Sequence, residues 1–331
     1  MTQSKEICLV TGGAGFIGSH VAETLVKRGK KVRILDNFST GKMEHIAAFK
    51  KSVELIKGDI RSLKDCRRAL KGVGYVFHLA ALRSVPKSMD RPFDAHENNA
   101  TGTLNMLVAA KDAGVKRLVY ASTSSAYGDC KKFPQKEEYK PEPVSPYAAS
   151  KLAGEHYCIL FTKTYGLETV SLRYFNVFGP RQDPESLYSV VVPKFMEQAW
   201  KNQPLDIHWD GKQSRDFTHI KNVVDANLLA AFSKKGAGEV FNIANGQTYS
   251  LLDLIAVIEK IVGRKLERKH YPKRKGDVRK TRADISRARR ILGYKPAVQF
   301  EEGLRDTWDY FAKSYFKNLK KSSFRRKPES R

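Results

Sequence analysis

Short runs dense in aliphatic and aromatic side chains recur along the first part of the chain: Ile7-Cys-Leu-Val10, Lys31-Val-Arg-Ile-Leu35, Val53-Glu-Leu-Ile-Lys-Gly-Asp-Ile60, Tyr75-Val-Phe-His-Leu-Ala-Ala81 and Arg117-Leu-Val-Tyr-Ala-Ser122. Runs of this length bounded by Gly, Asp or Ser read as buried strands. Mixed stretches with helical spacing lie between them, one running through Lys27 and another from Thr101 to Ala113. Strands alternating with helices predict an α/β protein with a parallel, doubly wound sheet, whose ligands gather beyond the C-terminal ends of the strands. Asp59, Ala80, Thr123 and the loops after them then fall on one edge. His78 sits inside an apolar run, where a core histidine with satisfied ring nitrogens is expected. After Asn176 the pattern loosens: Val177-Phe-Gly-Pro-Arg181 leads into a proline-bounded helix from Val190 and a short strand around Leu205, the makings of a smaller second domain.

The first strand runs straight into Thr11-Gly-Gly-Ala-Gly-Phe-Ile-Gly18 and then a helix. Glycines at 12, 15 and 18 let the backbone turn tightly, approach a pyrophosphate and pack helix against strand, and the helix N-terminus offers N–H groups to the anion. Gly13, Gly15 and Gly18 also satisfy the G-x-G-x-x-G spacing. The second strand ends at Asp36, where a carboxylate can accept from a ribose hydroxyl and would repel a 2′-phosphate. Asn37 and Phe38 beside it supply no cation, so the pattern predicts NAD rather than NADP.

Further along, Ser145-Pro-Tyr-Ala-Ala-Ser-Lys151 puts a phenol and an ammonium on one helix face, four residues apart. Ser145 suits an N-cap and Pro146 a first turn, which places the pair near a helix start. A free tyrosine has a pKa of about 10, so acting as a base near neutrality needs a shift of roughly three units, or about 4 kcal/mol. A lysine on the same face can supply part of that.

With 331 residues and 41% hydrophobic content the chain can bury a substantial core. No stretch approaches a transmembrane span, the polar Met1-Thr-Gln-Ser-Lys-Glu start is not a signal peptide, and there is no internal repeat. Cys8, Cys66, Cys130 and Cys158 show no paired spacing, which points to reduced cysteines and a cytoplasmic location. A formal charge of +25, concentrated in Arg264 to Arg290 and after Lys313, would suit a nucleic-acid or anionic-membrane binder. It would equally steer an anionic substrate.

Taken together, these motifs resemble the extended short-chain dehydrogenase/reductase family, and within it the nucleotide-sugar 4-epimerases. The resemblance runs from Ile7 to about Tyr310. It rests on the glycine loop, Asp36-Asn37, Gly58-Asp-Ile60, His78-Leu-Ala-Ala81, Asn99 before Ala100-Thr-Gly-Thr103, Thr123-Ser-Ser-Ala-Tyr-Gly128, Tyr147-x-x-x-Lys151, Arg173-Tyr-Phe-Asn176 and Arg215-Asp216. It implies a Rossmann domain over 1–176, also receiving about 218–246, and a smaller α/β substrate-binding domain over 177–217 and 247–316. The remaining 317–331 would be a disordered basic tail.

By the same resemblance Tyr147 takes a proton from the sugar 4-hydroxyl, Lys151 binds the nicotinamide ribose and depresses the tyrosine pKa, and Thr123 bonds the reacting oxygen. NAD, tightly bound and regenerated each cycle, would be held by Gly12, Gly15, Phe16, Ile17, Gly18, Asp36, Asn37, Asp59, Ile60, Leu79, Ala80, Ala81 and Asn99, with Tyr147 and Lys151. The UDP-sugar would meet Arg83, Ser84, Ser124, Ser125, Tyr147, Asn176 and Thr281, with Arg215 and Arg274 on its phosphates and Asp277 on its ribose. No metal is implied. Related 4,6-dehydratases carry an acidic pair after the threonine and glucuronate decarboxylases a glutamate, where this chain has Ser124 and Ser125. Epimerisation is therefore favoured. Thr281 stands where glucose-restricted epimerases hold a tyrosine that crowds the sugar 2-position, so room for an acetamido group points to UDP-N-acetylglucosamine and UDP-N-acetylgalactosamine. Ser84-Val-Pro-Lys-Ser88 and Phe178-Gly-Pro-Arg-Gln-Asp183 resemble that subgroup, whereas Arg83 stands where it often has glycine. The helices Thr101 to Ala113 and Lys151 to Tyr165 would suit the family's homodimer contact. Nucleic acid and membrane insertion drop out as partners on this reading.

Overall fold

Along the first strand, β1 (Ile7–Thr11), Cys8 and Val10 join one apolar core and Leu9 the opposite one, all three buried. The second, β2 (Lys31–Asp36), repeats the division with Val32 and Ile34 on the Val10 side and Leu35 on the Leu9 side. A strand buried on both faces requires a helix layer on each. The computed structural model, which describes residues 6–183, 191–273 and 278–315, has both layers. The further strands are β3 (Val53–Lys57), β4 (Val73–His78), β5 (Arg117–Thr123), β6 (Glu168–Tyr174) and a seventh, Glu239–Ile243. The sheet runs Glu239–Ile243, β6, β5, β4, β1, β2, β3, with every neighbouring pair parallel. Chain order reverses between β1 and β4, and the crevice beyond their C-terminal ends is where such a sheet binds ligands.

Helix α1 (Phe16–Lys27) and the helix Ile220–Phe232 cover one face through Val21, Leu25 and Val223. The other is covered by α2 (Leu63–Ala69), by α5 (Gly102–Asp112) through Met106 and Leu107, and by α6 (Pro146–Tyr165) through Cys158 and Phe161. Two short helices, α3 (Val85–Asp90) and α4 (Pro92–His96), lead through a π turn at Glu97–Thr101 into α5. A third apolar cluster joins Phe195 and Met196 of the helix Val191–Trp200 to Leu254 and Ile258 of Leu251–Val262 and to Phe300 and Leu304. Ser250 and Asp253 close a capping box on Leu251–Val262. The strand expected around Leu205 spans Leu205–His208 and pairs in parallel with Arg268–Tyr271.

Two strands stop earlier than the apolar runs suggest. β3 ends at Lys57, one residue before Gly58, whose N–H still makes the last ladder bond to the Asp36 carbonyl. β4 ends at His78, because the Thr11 hydroxyl takes the N–H groups of both Leu79 and Ala80 at 3.1 Å and draws the chain off the sheet. His78 is fully buried, with Nδ1 2.8 Å from the Thr11 hydroxyl and Nε2 3.1 Å from that of Thr103. Burial and the Lys151 charge push its pKa down to about 3, so the ring is neutral. All four cysteines are free thiols. Among the described residues no helix is long and apolar enough to cross a membrane, and no His, Cys, Asp and Glu cluster could hold a metal. The 317–331 tail lies outside the described residues.

Candidate active site

Gly12 turns the chain out of β1 with φ of +67°, and a Cβ there would lie 2.9 Å from the Ala80 backbone. Gly18 on α1 faces it so closely that a Cβ would lie 2.1 Å from the Gly12 carbonyl oxygen. A side chain at either position would collide with that backbone and force the loop apart. Because α1 opens on Gly15 with no side-chain cap, its first N–H groups face the crevice. This cradle is one wall of a solvent-open cleft with about 1180 Å³ of empty space, lined also by Phe16, Ile17, Ile60, Leu79, Ala80 and Ala81. A cleft that runs from this glycine cradle to Tyr147 and Lys151 suits an extended dinucleotide. The residues present fit NAD.

At the C-terminal end of β2 Asp36 is buried, and its carboxylate accepts from Ala14 N at 2.9 Å and Phe38 N at 2.8 Å. Burial raises its pKa, opposed by those two amides and by His45. Asn37 also lines the cleft, its amide donating to Asp59 Oδ2 at 2.9 Å. Asp59 itself is gripped by Arg61 at 2.8 Å, which, with Asn37, brings its pKa down to about 2. It therefore orients Asn37 rather than lining the cleft.

The cation-free surroundings read from Asn37 and Phe38 are incomplete. Lys42 and Arg181 line the same cleft, and each carries an acid: Lys42 Nζ lies 3.4 Å from Asp183, and Arg181 pairs with Glu23 of α1 and bonds the Ser19 hydroxyl at 3.3 Å. The Pro180 carbonyl also meets His20 Nε2 at 2.9 Å. Residues 180–183, read from sequence only as part of a motif resembling the N-acetylhexosamine subgroup, are thus laced to α1 and to Lys42. Glu23 and Lys42 lie too far off in sequence for spacing to have revealed these pairings.

At the opposite end α6 starts where expected. Ser145 caps it by accepting from Ala148 N at 3.2 Å, Pro146 occupies the first turn, and Tyr147 N donates to Ser88 Oγ at 3.1 Å. Tyr147 and Lys151 both line the cleft, and Lys151 is only 2% exposed. Burial pushes the Lys151 ammonium down to about 7, with the nearby Cys158 and Glu155 opposing. Burial also raises the Tyr147 phenol, against a hydrogen bond with Thr123 and the positive charge of Arg83. Thr123 ends β5 with its hydroxyl also accepting from Ser125 N at 3.1 Å. The three groups read as the catalytic set therefore meet at one edge of the sheet, where burial works against both the phenolate and the ammonium.

The remaining candidates divide. Asn99 is buried away from the cleft: its amide donates to Leu82 O at 3.1 Å and accepts from Leu82 N at 2.8 Å, pinning the loop that carries Ala81 and Arg83, while Asn98 lines the cleft instead. Ser84 spends its hydroxyl capping α3 at Lys87 N. Ser124 and Ser125 form a 3-10 turn, Ser124–Tyr127, directly after Thr123. Asn176, at φ of 35°, donates to the Thr281 hydroxyl at 3.2 Å and to the Asp216 carbonyl at 3.2 Å, so two of the residues expected to meet the sugar face each other. Arg215 lies next to them in the two-residue strand Ser214–Arg215, paired with Tyr249–Ser250, and its guanidinium donates to the Ser214 carbonyl at 2.9 Å. Arg274 and Asp277 lie outside the described residues.

A glycine cradle for a pyrophosphate at the switch point of a parallel sheet, with a Tyr-Lys pair one helical turn apart at its far end, defines a dinucleotide-dependent enzyme of the short-chain dehydrogenase/reductase kind. Over residues 8–244 the chain matches the model of the NAD dependent epimerase/dehydratase family, and it belongs to that family. It is 38% identical to the UDP-glucose 4-epimerase of Mycolicibacterium smegmatis, covering 92% of this chain and 97% of that one. The structure of a UDP-N-acetylglucosamine 4-epimerase from Methanobrevibacter ruminantium in complex with UDP-N-acetylmuramic acid superposes with a TM-score of 0.89 at 39% identity, covering 93% of this chain and 98% of that one. That of the UDP-glucuronic acid 4-epimerase from Bacillus cereus, in complex with UDP-glucuronic acid and NAD, gives 0.86 at 35% identity, covering 95% and 99%.

Proposed function

We propose that this chain is a 4-epimerase of UDP-sugars that works through a 4-keto intermediate and interconverts UDP-N-acetylglucosamine and UDP-N-acetylgalactosamine. One observation carries the reading: Tyr147 and Lys151 line the cleft one turn apart, with the Thr123 hydroxyl on the phenol and two serines, not carboxylates, in the turn that follows. When bound, NAD would supply the hydride acceptor for C4 and, once reduced, the hydride donor. Tyr147 accepts the proton of the sugar 4-hydroxyl and later gives it back, and Thr123 steers the reacting oxygen by donating to it. Lys151, as an ammonium, lowers the phenol toward the range a base needs. Neither Ser124 nor Ser125 can act as the acid or base that elimination requires. Gly12 and Gly18 hold the cofactor wall, and Asp36 faces the adenosine ribose. Phosphate contacts fall to Arg215 and Arg274, and Asp277 takes the uridine ribose.

The N-acetyl preference rests on Thr281, whose hydroxyl sits against Asn176. Purified protein assayed in parallel on UDP-glucose, UDP-galactose and the two N-acetylated sugars tests it. Thr281→Tyr is expected to cut turnover of the acetylated pair at least tenfold and spare the plain pair; unimpaired turnover of the acetylated pair refutes the assignment. A second reading, UDP-glucuronate as substrate, is favoured by Arg83, which lines the cleft with its charge on Tyr147. A carboxylate at C6 would suit such a cation, so UDP-glucuronate belongs in the same assay.

The reading also makes the protein a cytoplasmic homodimer. Leu160 and Tyr165 of α6 are 46% and 53% exposed, and Phe93, at 81%, stands on α4 rather than on the α5 helix expected to share the contact. A dimer mass by light scattering that becomes monomeric in Phe93→Asp supports this face.

A further inference from the structure

Lys151 is nearly sealed from water, yet among the described residues no carboxylate forms an ion pair with it. The nearest acid in sequence, Glu155, is taken: Arg173 bonds it at 2.6 and 3.0 Å and the Ser122 hydroxyl at 2.8 Å. What the ammonium meets is a ring face. Lys151 Nζ stands 4.1 Å from the ring centroid of Tyr120, a fully buried residue of β5. The Tyr120 hydroxyl donates to the Lys151 carbonyl at 3.0 Å, so one side chain holds both the charge and the backbone of the lysine. Gly154 makes room for it, since a Cβ there would lie 2.3 Å from the Tyr120 hydroxyl oxygen.

We propose that Tyr120 is a positioning residue for the epimerase reaction, its ring face keeping Lys151 charged and aimed in a dry site so that the ammonium can act on Tyr147. This rests on the reading of Tyr147 and Lys151 as the proton-transfer pair. The other titratable groups around the lysine are the neutral His78 on β4, Tyr147, Glu155 and Cys158 on α6 itself, and Arg173 on β6, which neutralises Glu155. None of them supplies a free negative charge. A desolvated cation–π contact is worth about 2 kcal/mol, which corresponds to about 1.5 pKa units.

The test follows the titration of Lys151 by NMR of isotope-labelled lysine side chains in NAD-loaded protein, beside the pH profile of kcat/KM. Tyr120→Leu is expected to lower the lysine midpoint by about one unit or more and to move the alkaline limb down with it. Tyr120→Phe, which keeps the ring, leaves both near wild type. Should the leucine variant not fold, progressively fluorinated phenylalanines at 120 weaken the ring face at nearly constant shape, and the midpoint is expected to fall step by step. A midpoint that stays put in the leucine or fluorinated variants overturns the proposal, and a fall in kcat without a shift of the limb assigns Tyr120 a merely structural role. Failure of the wild type to epimerise any UDP-sugar sinks the reading of the pair; the lysine titration then still decides whether Tyr120 holds the charge.

Discussion

Gly154→Ala is the substitution on which the packing beneath Lys151 can be tried most severely, because ordinary helix energetics predict the opposite result. Gly154 lies inside α6, where alanine is better than glycine by about 1 kcal/mol. A Cβ there would sit 2.3 Å from the Tyr120 hydroxyl oxygen and 2.7 Å from the ring carbon bearing it. Tyr120 is fully buried, its hydroxyl bonded to the Lys151 carbonyl and its ring tilted against His78 with centroids 5.8 Å apart. It cannot retreat without breaking that bond, worth about 1 kcal/mol, and overpacking adds roughly 1–3 kcal/mol. Set against the helix gain, the net loss is about 1–3 kcal/mol. Urea unfolding of NAD-loaded protein, followed by circular dichroism, measures it. Combining Gly154→Ala with Tyr120→Phe removes the nearer clashing atom and should recover about 1 kcal/mol relative to additivity. An alanine variant as stable as wild type, or additive behaviour of the pair, would refute the packing argument.

Three more expectations come from the site and its support. Tyr147→Phe should lower kcat by about 10²–10⁴ while NAD content, read by absorbance after denaturation, stays at wild-type level. Glu23→Gln strips Arg181 of its half-buried partner and should speed NAD release on the order of tenfold, measured by capture with an NAD-consuming enzyme; an unchanged rate would remove residues 180–183 from cofactor retention. His78 is held neutral in the fold, its pKa lowered by burial and then by Lys151 from 6.5 to about 3. The unfolded chain therefore binds the extra proton, so this contribution to stability is complete above about pH 6.5 and falls as pH drops toward 3, by up to roughly 5 kcal/mol. Between pH 6.5 and 4 the stability of His78→Gln should fall with a slope smaller by about one proton, and equal slopes would contradict a neutral buried ring.

What could be read from the chain in advance, and what could not, follows the reach of each interaction. The glycine cradle, the Asp36 strand end and the Ser145-Pro-Tyr start of α6 are local: their chemistry and their backbone requirements sit within a few residues, so spacing exposes them. Polar candidates fared less evenly, because a hydroxyl or amide has several backbone groups within reach. Ser84 caps α3 and Asn99 clamps Leu82, uses that a motif match does not separate from ligand contact. Strand ends were overrun where apolar residues continue past the sheet. Leu79, Ala80 and Ala81 remain apolar although β4 has ended, because they wall the cleft. β6 and Glu239–Ile243 escaped early notice, although Arg173 marks β6, since its charge is silenced only by Glu155 across the core. Arg181 shows the same effect on the surface of the site: in the sequence it is one residue of a motif resembling the N-acetylhexosamine subgroup, and only folding brings it to Glu23 and Ser19. Sequence therefore displays the groups that do the chemistry more clearly than those that set their charge. Tyr120 is the sharpest case, because within its strand it is one more buried aromatic, and its bearing on the reaction depends on a lysine contributed by another element.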